Sequence, residues 1–350
     1  MNKLLNIVVI GIGGGGSNMV NHLLSHYYSD NISYFIANTD KQALIERKNL
    51  EVIQLGVETS KGLGAGMKPE IGLASAMENQ DEIAGVFFEA DLVFISVGMG
   101  GGTGTGAAPY IAKIAKQAGA LTIGITTMPF KFEGKKRSKL ANVGLKNFKE
   151  NCDSIITIEN ENLLSLIDKR SGMRESFMKV DSILSEAVIG TSGVILSSGS
   201  NDINLDFADL KTIMEHGGDS IMGIGYSENS AKEALSEALS SPLLRKDSVE
   251  SAMGVLIHFE VNSDYSFIDL SMSIEDFQEN MDSEANIIFG TTTNNELLSG
   301  EIKVTIIATL SNVELNVIDT KPLKMEQLRI ERKSIPLGGD LDSPSYLRYG

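Results

Sequence analysis

Apolar residues along this chain come in short unbroken runs, and between them lie glycine clusters and amphipathic stretches. Residues 3–10, "KLLNIVVI", read as a buried strand, and the loop "GIGGGGSN" (Gly11 to Asn18) follows. A helical stretch spans about Met19 to Tyr27, and "ISYFIANTD" (Ile32 to Asp40) is a second strand with a polar end. Residues 51–54 suggest a short strand, and "GLGAGMKPEIG" (Gly62 to Gly72) is a loop entering a helix that ends near Glu78. "DLVFISVG" (Asp91 to Gly98) is the next strand, followed by a second large glycine loop and a helix from about Ala107 to Gln117. A strand "LTIGITTM", a helix near residues 135–150 and a strand "SIITIEN" complete this half. Apolar strands alternating with helices at this spacing predict a parallel sheet covered on both faces.

From Arg174 to about Leu196 the period changes. Phe177, Val180, Ile183, Leu184, Ala187 and Val188 recur at three- and four-residue steps, which predicts one long helix. A second region runs from about Phe207 to Leu310, with "AKEALSEALSS" as an amphipathic helix and "GVLIHFEV", "NIIFGTT" and "EIKVTIIATL" as strands. Past it the chain becomes charged, with proline and paired glycine ("KPLKMEQLRIERKSIPLGGDL"), and reads as a linker before the more apolar "DLDSPSYLRYG". The expected fold class is α/β: a Rossmann-like parallel-sheet domain (1–172), a central helix (173–198) and a smaller α+β domain with a mostly β sheet (199–316). A short linker (317–339) and a terminal peptide (340–350) follow.

Composition narrows the chemistry. The 350 residues are 42% hydrophobic, enough for a large core, and no apolar run approaches a membrane span of about 20 residues. The N-terminus reads as the first strand rather than as a signal peptide. One cysteine and four scattered histidines argue against a disulfide framework or a dedicated zinc site, and fit a reducing compartment. The net charge of −16 argues against a nucleic-acid partner and against adhesion or insertion of the body at an anionic membrane. A phosphate ligand would have to be held by backbone N–H groups and helix ends.

The glycine loops suit that task. Six of the nine residues from Gly98 to Gly106 are glycine, and two of the others are Thr103 and Thr105, which can add hydroxyls. Without Cβ atoms a backbone can come within hydrogen-bond reach of an anion, and the start of a helix favours negative charge. Three such loops, Gly11 to Asn18, Gly62 to Gly66 and Gly98 to Gly106, fall at or beyond strand ends, the edge where open parallel sheets bind ligands. No "GK[ST]" follows, so none is a Walker A loop. "GIGGGGSN" also satisfies a loose dinucleotide fingerprint, with Asn38 and Asp40 where a ribose-binding acid would stand. An NAD-dependent oxidoreductase is thus an alternative, although it leaves the denser loop without a task.

At this point the residues resemble a family. "GGGTGTG" (Gly100 to Gly106) is similar to the signature of the tubulin/FtsZ GTPase superfamily, and "GMGGGTGTGAAP" to its bacterial FtsZ branch of cell-division proteins. The likeness continues in order through "NTDKQAL", "GLGAGMKPEIG", "PFKFEG", "ENENLL", "INLDFADL", "SSPLL", "ANIIFG" and "VTIIATL". It implies GTP and GDP as ligands. Gly13, Gly14, Gly15, Gly16 and Asn18 would meet the phosphates, and Asn38 and Asp40 would lie near the nucleoside. Ala65 and Gly66 would sense the γ-phosphate. Gly100, Gly101, Gly102, Thr103, Gly104, Thr105 and Gly106 would wrap the α- and β-phosphates. Glu133 and Arg137 would lie near the ribose, with Phe177 stacking on guanine and Asp181 accepting from its N1–H and N2–H. From the residues alone, Phe177 and Asp181 share a helical face, and a core ring with a solvated acid is the preferred reading.

Asp206 and Asp209 in "NLDFAD" stand three apart, which on a helix start puts them on one face. Such acids are common caps. The resemblance implies a catalytic role: with Asn204 they would reach the γ-phosphate bound by the next subunit of a head-to-tail homopolymer and polarise the attacking water. It further implies Mg²⁺ held by phosphates and water rather than by protein ligands, and K⁺ as a further candidate ion. The implied place is the cytoplasm, at the division site on the inner face of the membrane. Residues 340–350, with Leu341, Tyr346 and Leu347 as anchors, would dock on membrane-tethering division proteins through a linker of about 25 Å reach. A filament scaffold with little turnover is a further alternative. Ser17, Met67, Lys68, Met128 and Glu159 depart from the family pattern and bear on turnover and γ-phosphate sensing.

Overall fold

Strand order in the sheet explains why the apolar runs are unbroken. The computed structural model describes residues 5–44, 48–163, 172–196, 202–203, 205–215, 218–241, 244, 249 and 252–310. Within them β1 (Ile7–Ile12), β2 (Ile32–Asn38), β3 (Glu51–Gln54), β4 (Leu92–Gly98), β5 (Leu121–Met128) and β6 (Ser154–Glu159) pair in parallel, in the order β3-β2-β1-β4-β5-β6. Helices cover both faces, so both sides of the central strands β1, β4 and β5 are buried and no polar alternation is needed there.

The sheet does not stop there. β7 (Asp219–Ser227) joins β6 through only two residue pairs, Ile155 with Asp219 and Ile156 with Ser220. β10 (Ile302–Leu310) then runs antiparallel to β7 and to β8 (Ala252–Val261), and β9 (Asn286–Thr293) closes the edge parallel to β8. The smaller domain's sheet is therefore a continuation, in which strand direction becomes mixed.

The helices in chain order are α1 (Gly13–His26), α2 (Pro69–Glu78), α3 (Gln80–Val86), α4 (Thr103–Gln117), α5 (Lys135–Lys149), α6 (Asn160–Leu163), α7 (Met173–Leu196), α8 (Phe207–Met214), α9 (Ala231–Leu239) and α10 (Phe267–Glu279). Two differ from the sequence reading in a way that matters: α1 and α4 begin inside their glycine runs, not after them. Glycine is a poor helix former, but here two glycine-rich first turns pack backbone to backbone. A Cβ on Gly15 would lie 3.2 Å from Gly98 Cα, and one on Gly13 would lie 3.0 Å from Gly104 N. β7, α3, α6 and α10 were not anticipated, and α8 only as a helix start at Asp206 and Asp209. The N-terminal residues 1–4 and the expected linker and peptide (317–350) lie outside the described residues.

α7 is the axis of the molecule. Its Val180, Ile183, Leu184, Ala187 and Val188 sit in one core cluster with Ile7 and Leu23 on one side and Leu210, Leu256 and Ile307 on the other. A separate cluster gathers α9 and α10 over the outer face of β8 and β10. Leu184→Ala removes a fully enclosed side chain where both halves meet, and should cost about 2–5 kcal/mol. A single urea transition shifted to lower midpoint, with unchanged slope, is the expected result.

Candidate nucleotide-binding site

β1 and β4 are neighbours whose ends lie level, Ile12 opposite Val97, and each strand runs into a helix start. The starts of α1 and α4 are thus side by side. Neither carries a side-chain cap on its first N–H groups, and neither has an acidic residue in its first turn. First-turn N–H groups have no partner within the helix, and together with the helix dipole they form a ready anion site.

The glycines divide into two classes. Most are required by packing. A Cβ on Gly106 would fall 1.9 Å from Pro69 O, one on Gly72 2.4 Å from Gly102 O, and one on Gly102 2.8 Å from Ala65 Cβ. These contacts interlock the Gly62–Gly66 loop, α2 and α4. Gly16 meets Ser96 O at 2.2 Å and Gly104 meets Val97 Cγ2 at 2.7 Å in the same test. Gly100 has φ +94° and lies against Arg137. Gly14 and Gly101 are different: a Cβ on either would touch nothing within 4 Å, and neither has a positive φ. Fold and backbone conformation leave glycine optional there, whereas close approach of a ligand would require it. Gly66 is also open, but its φ of +55° favours glycine by itself.

The two threonines are already engaged. Thr103 Oγ1 is 2.6 Å from Thr39 Oγ1, and Thr105 Oγ1 accepts from Gly100 N at 2.9 Å. Both hold the loops in shape. The loop after β2 is tied in the same way: Asn38 is buried and its Oδ1 accepts from Asp40 N, while Asp40 caps the turn Lys41–Ala43 through Gln42 N. Gly64 N donates to Thr39 O and Lys41 N to Gly62 O, which brings the Gly62–Gly66 loop beside β2. Met67 sits in that loop at φ +59°, a left-handed conformation in which a small residue is favoured.

Asn18 is exposed on α1. Glu133 and Arg137 form an ion pair at 2.9 Å, and Glu133 Oε1 also accepts from Phe130 N. The Phe130 ring meets the edge of Phe177, with centroids 5.8 Å apart, so the start of α7 lies at the end of β5. Phe177 is 40% exposed rather than a core ring. One turn on, Asp181 has no hydrogen-bond or ion partner among the described residues, and burial pushes its carboxyl up to about 7. One turn further, Ser185 Oγ donates to Asp181 O at 2.8 Å and lies 3.2 Å from His22 Nδ1, fastening α7 to α1. Residues from the ends of β1, β2, β4 and β5 and from α1, α4, α5 and α7 are thereby gathered in one region.

A further candidate was missed. Asn160 follows β6 directly, is only 6% exposed, and its Oδ1 has no partner. A buried amide oxygen without a partner among the described residues, at this edge of the sheet, points to a group supplied from outside. The signal was present as a polar residue immediately after an apolar parallel strand. The Ser17 hydroxyl, at a family-departure position in α1, is likewise buried without a partner.

Asp206 and Asp209 are not brought to this region. They form a reciprocal capping box at the start of α8: Asp206 Oδ1 accepts from Asp209 N at 2.9 Å, and Asp209 Oδ2 accepts from Asp206 N at 3.0 Å. Just before them, Ile203 O accepts from Thr291 N, and Leu205 packs where a Cβ on Gly290 would be, so the segment is held against β9. β9 stands six inter-strand spacings from β4, about 29 Å along the sheet. α7 is a second ruler: Gly190, which meets Thr305 of β10, is about 20 Å along the axis from Phe177. Asn204 lies outside the described residues.

Comparison with known proteins bears on this arrangement. Residues 6–168 match the Tubulin/FtsZ family GTPase domain, and residues 218–311 match the FtsZ family C-terminal domain. An empty FtsZ dimer from M. jannaschii is 34% identical, with 92% of this chain and 96% of that chain covered and a TM-score of 0.78. A point mutant of FtsZ from M. jannaschii is 38% identical, with 87% and 90% covered and a TM-score of 0.78. The GTPγS-bound protofilament of CetZ2 from Haloferax volcanii is 19% identical, with 87% and 93% covered and a TM-score of 0.69, a likeness of fold.

Two predictions separate the roles. Gly14→Val should leave the urea midpoint nearly unchanged and weaken GDP binding in calorimetry about tenfold or more, whereas Gly106→Ala should destabilise the fold by about 1–3 kcal/mol through overpacking. The second concerns protonation. A ligand offering two N–H donors needs Asp181 ionised, so GDP affinity should fall as pH drops below about 7 and be flat above it. In Asp181→Asn that pH dependence should vanish along with most of the affinity.

Proposed function

The chain belongs to the tubulin/FtsZ family, and from that premise we propose that it hydrolyses GTP in filaments assembled head to tail, each active site being completed by Asp206 and Asp209 of the next subunit. The observation that carries this reading is the separation of the aspartate pair from the glycine loops. A carboxylate pair that cannot reach its own chain's phosphate edge can serve another's. A contact between two different surfaces repeats without closing, which gives filaments. An exposed apolar side chain supports such a contact: Phe132 beside the glycine-loop edge.

In this reading the backbone N–H groups at Gly13–Gly16 and Gly101–Thr105 hold the phosphates, those of Gly100 and Gly106 being engaged by Thr105 Oγ1 and Gly102 O, while Phe177 stacks on guanine, and Asp181 and Asn160 take its polar edge. The capping box fixes Asp206 and Asp209 in register, and their remaining oxygens accept hydrogen bonds from the attacking water. The loops carry no Lys, Arg or carboxylate, and their threonines are engaged. Mg²⁺ carried on the phosphates would offset charge that the loops leave uncompensated, with K⁺ as a secondary ion. We place the filament in a division ring in the cytoplasm, with residues 340–350 binding a membrane tether across the linker 317–339. Residues 1–172, 173–198 and 199–316 form the nucleotide domain, central helix and activating domain. Among the described residues no helix is long and apolar enough to cross a membrane.

The capping box also favours a second reading, a GTP-binding scaffold with little turnover, because each carboxylate already serves the other's backbone. The family match leaves hydride transfer without support. GTP turnover per subunit should rise steeply above a threshold protein concentration and then level. In Asp209→Ala it should fall about 100-fold or more while GTP affinity holds. Turnover independent of concentration overturns the shared site, and unchanged turnover in the mutant supports the scaffold.

A further inference from the structure

Charge along the chain is segregated. Residues 131–149 hold seven of the 30 Lys and Arg residues against one acid, Glu133. Residues 247–302 hold twelve Asp and Glu residues and no Lys or Arg. The fold places these segments apart. α5 buries Ala141 and Phe148 against the parallel sheet, whereas α10 buries Leu270, Ile274 and Phe277 in the cluster over β8 and β10. They do not neutralise each other within one molecule.

Each segment presents its charge as a straight, exposed helical stripe. On α5, Lys135, Lys139 and Lys146 fall within about 40° of one another around the axis, over about 16 Å. None of the three has a carboxylate within ion-pair distance among the described residues, whereas Arg137 and Lys149 on the same helix are paired. The exposed Val143 borders the stripe. On α10, Met272, Glu275 and Glu279 share one exposed face, and Asp282 and Glu284 extend it past the helix end. The stripes are opposite in sign and each borders exposed apolar side chains, Val143 on α5 and Ile268 and Met272 on α10, and Asp276 beside the acidic stripe is already paired with Lys232.

We propose that the basic stripe of α5 in one copy pairs with the acidic stripe of α10 in a copy belonging to a neighbouring filament, holding filaments side by side. The contact rests on the assembly proposed above and is separate from the head-to-tail contact. Several factors favour a second copy over an anionic membrane. The complementary acid stripe is part of the same chain, and assembly concentrates it beside the basic one. The net charge of −16 repels an anionic bilayer. Exposed ion pairs are individually weak and salt-screened, so the contact gains strength by repetition along two filaments.

The experiment is two-speed sedimentation of the full chain with GTP and Mg²⁺, at about 0.05 M and about 0.5 M KCl, where screening lengths differ roughly threefold. High-speed pellets report filaments and low-speed pellets report bundles. Wild type should bundle at low salt and lose bundles at high salt. Lys139→Glu with Lys146→Glu should cut the low-speed fraction about threefold or more, leaving the high-speed pellet and GTP turnover within about twofold. Adding Glu275→Lys and Glu279→Lys to the same chain should restore bundling. Bundling unmoved by the reversal, or unrestored by the charge swap, overturns the contact. So does binding to phosphatidylserine vesicles that the reversal abolishes while bundling persists. A wild type with no GTP-dependent high-speed pellet overturns the assembly reading, and this contact with it.

Discussion

An acidic chain that binds a polyphosphate must do so with its backbone, and the fold is organised around that constraint. Two parallel strands, β1 and β4, end level and release the chain into two helices whose first N–H groups point the same way without caps. Bringing two helix starts so close demands residues without side chains. Most of the glycines in the three loops therefore serve packing or a left-handed turn, and among them only Gly14 and Gly101 are left with an open face that nothing in the fold explains. Threonines 39, 103 and 105 then lock the loops, so the donors are fixed before any ligand arrives. Preorganised donors cost no rearrangement on binding.

The second constraint is length. α7 links the nucleotide edge to the outer strands, and its apolar stripe welds both halves into one core. Its N-terminal turns carry Phe177 and Asp181 beside the end of β5, at the base end of the proposed site. A ligand that draws on Asp181 acts on a helix whose apolar stripe shares one core with Leu210 of α8, the helix that Asp206 and Asp209 cap. With no partner among the described residues, the buried carboxylate of Asp181 costs stability. Its folded pKa of about 7 stands above the ordinary carboxylate value, so that cost is absent at acid pH and grows as pH rises toward 7. A donor-rich base would relieve it.

Much of this was legible in the residues. The unbroken runs at Ile7, Leu92 and Leu121 announced a doubly covered parallel sheet, and the periodicity from Val180 to Val188 announced α7. The glycine clusters marked the site. Their helical start was not legible, because glycine signals a loop locally and its tolerance in α1 and α4 comes from a partner backbone distant in sequence. α10 was hidden for a related reason: "FIDLSMSIEDF" mixes exposed Phe267 and Ile268 with buried Leu270 and Ile274, which blurs the helical period. Asn160 looked like any polar residue after a strand until burial removed its partners. The distance between Asp206 and the glycine loops is a property of sheet order, which no local pattern encodes.

The central claim, one active site from two subunits, is tested most directly by mixing two disabled chains. One carries Asp209→Ala with intact glycine loops; the other carries Gly14→Val with an intact aspartate pair. In a copolymer some junctions would pair a sound nucleotide site with a sound Asp209. GTP turnover of the mixture well above the sum of the separate chains is the predicted result. Turnover equal to that sum, with both chains present in the same filaments, would contradict the account.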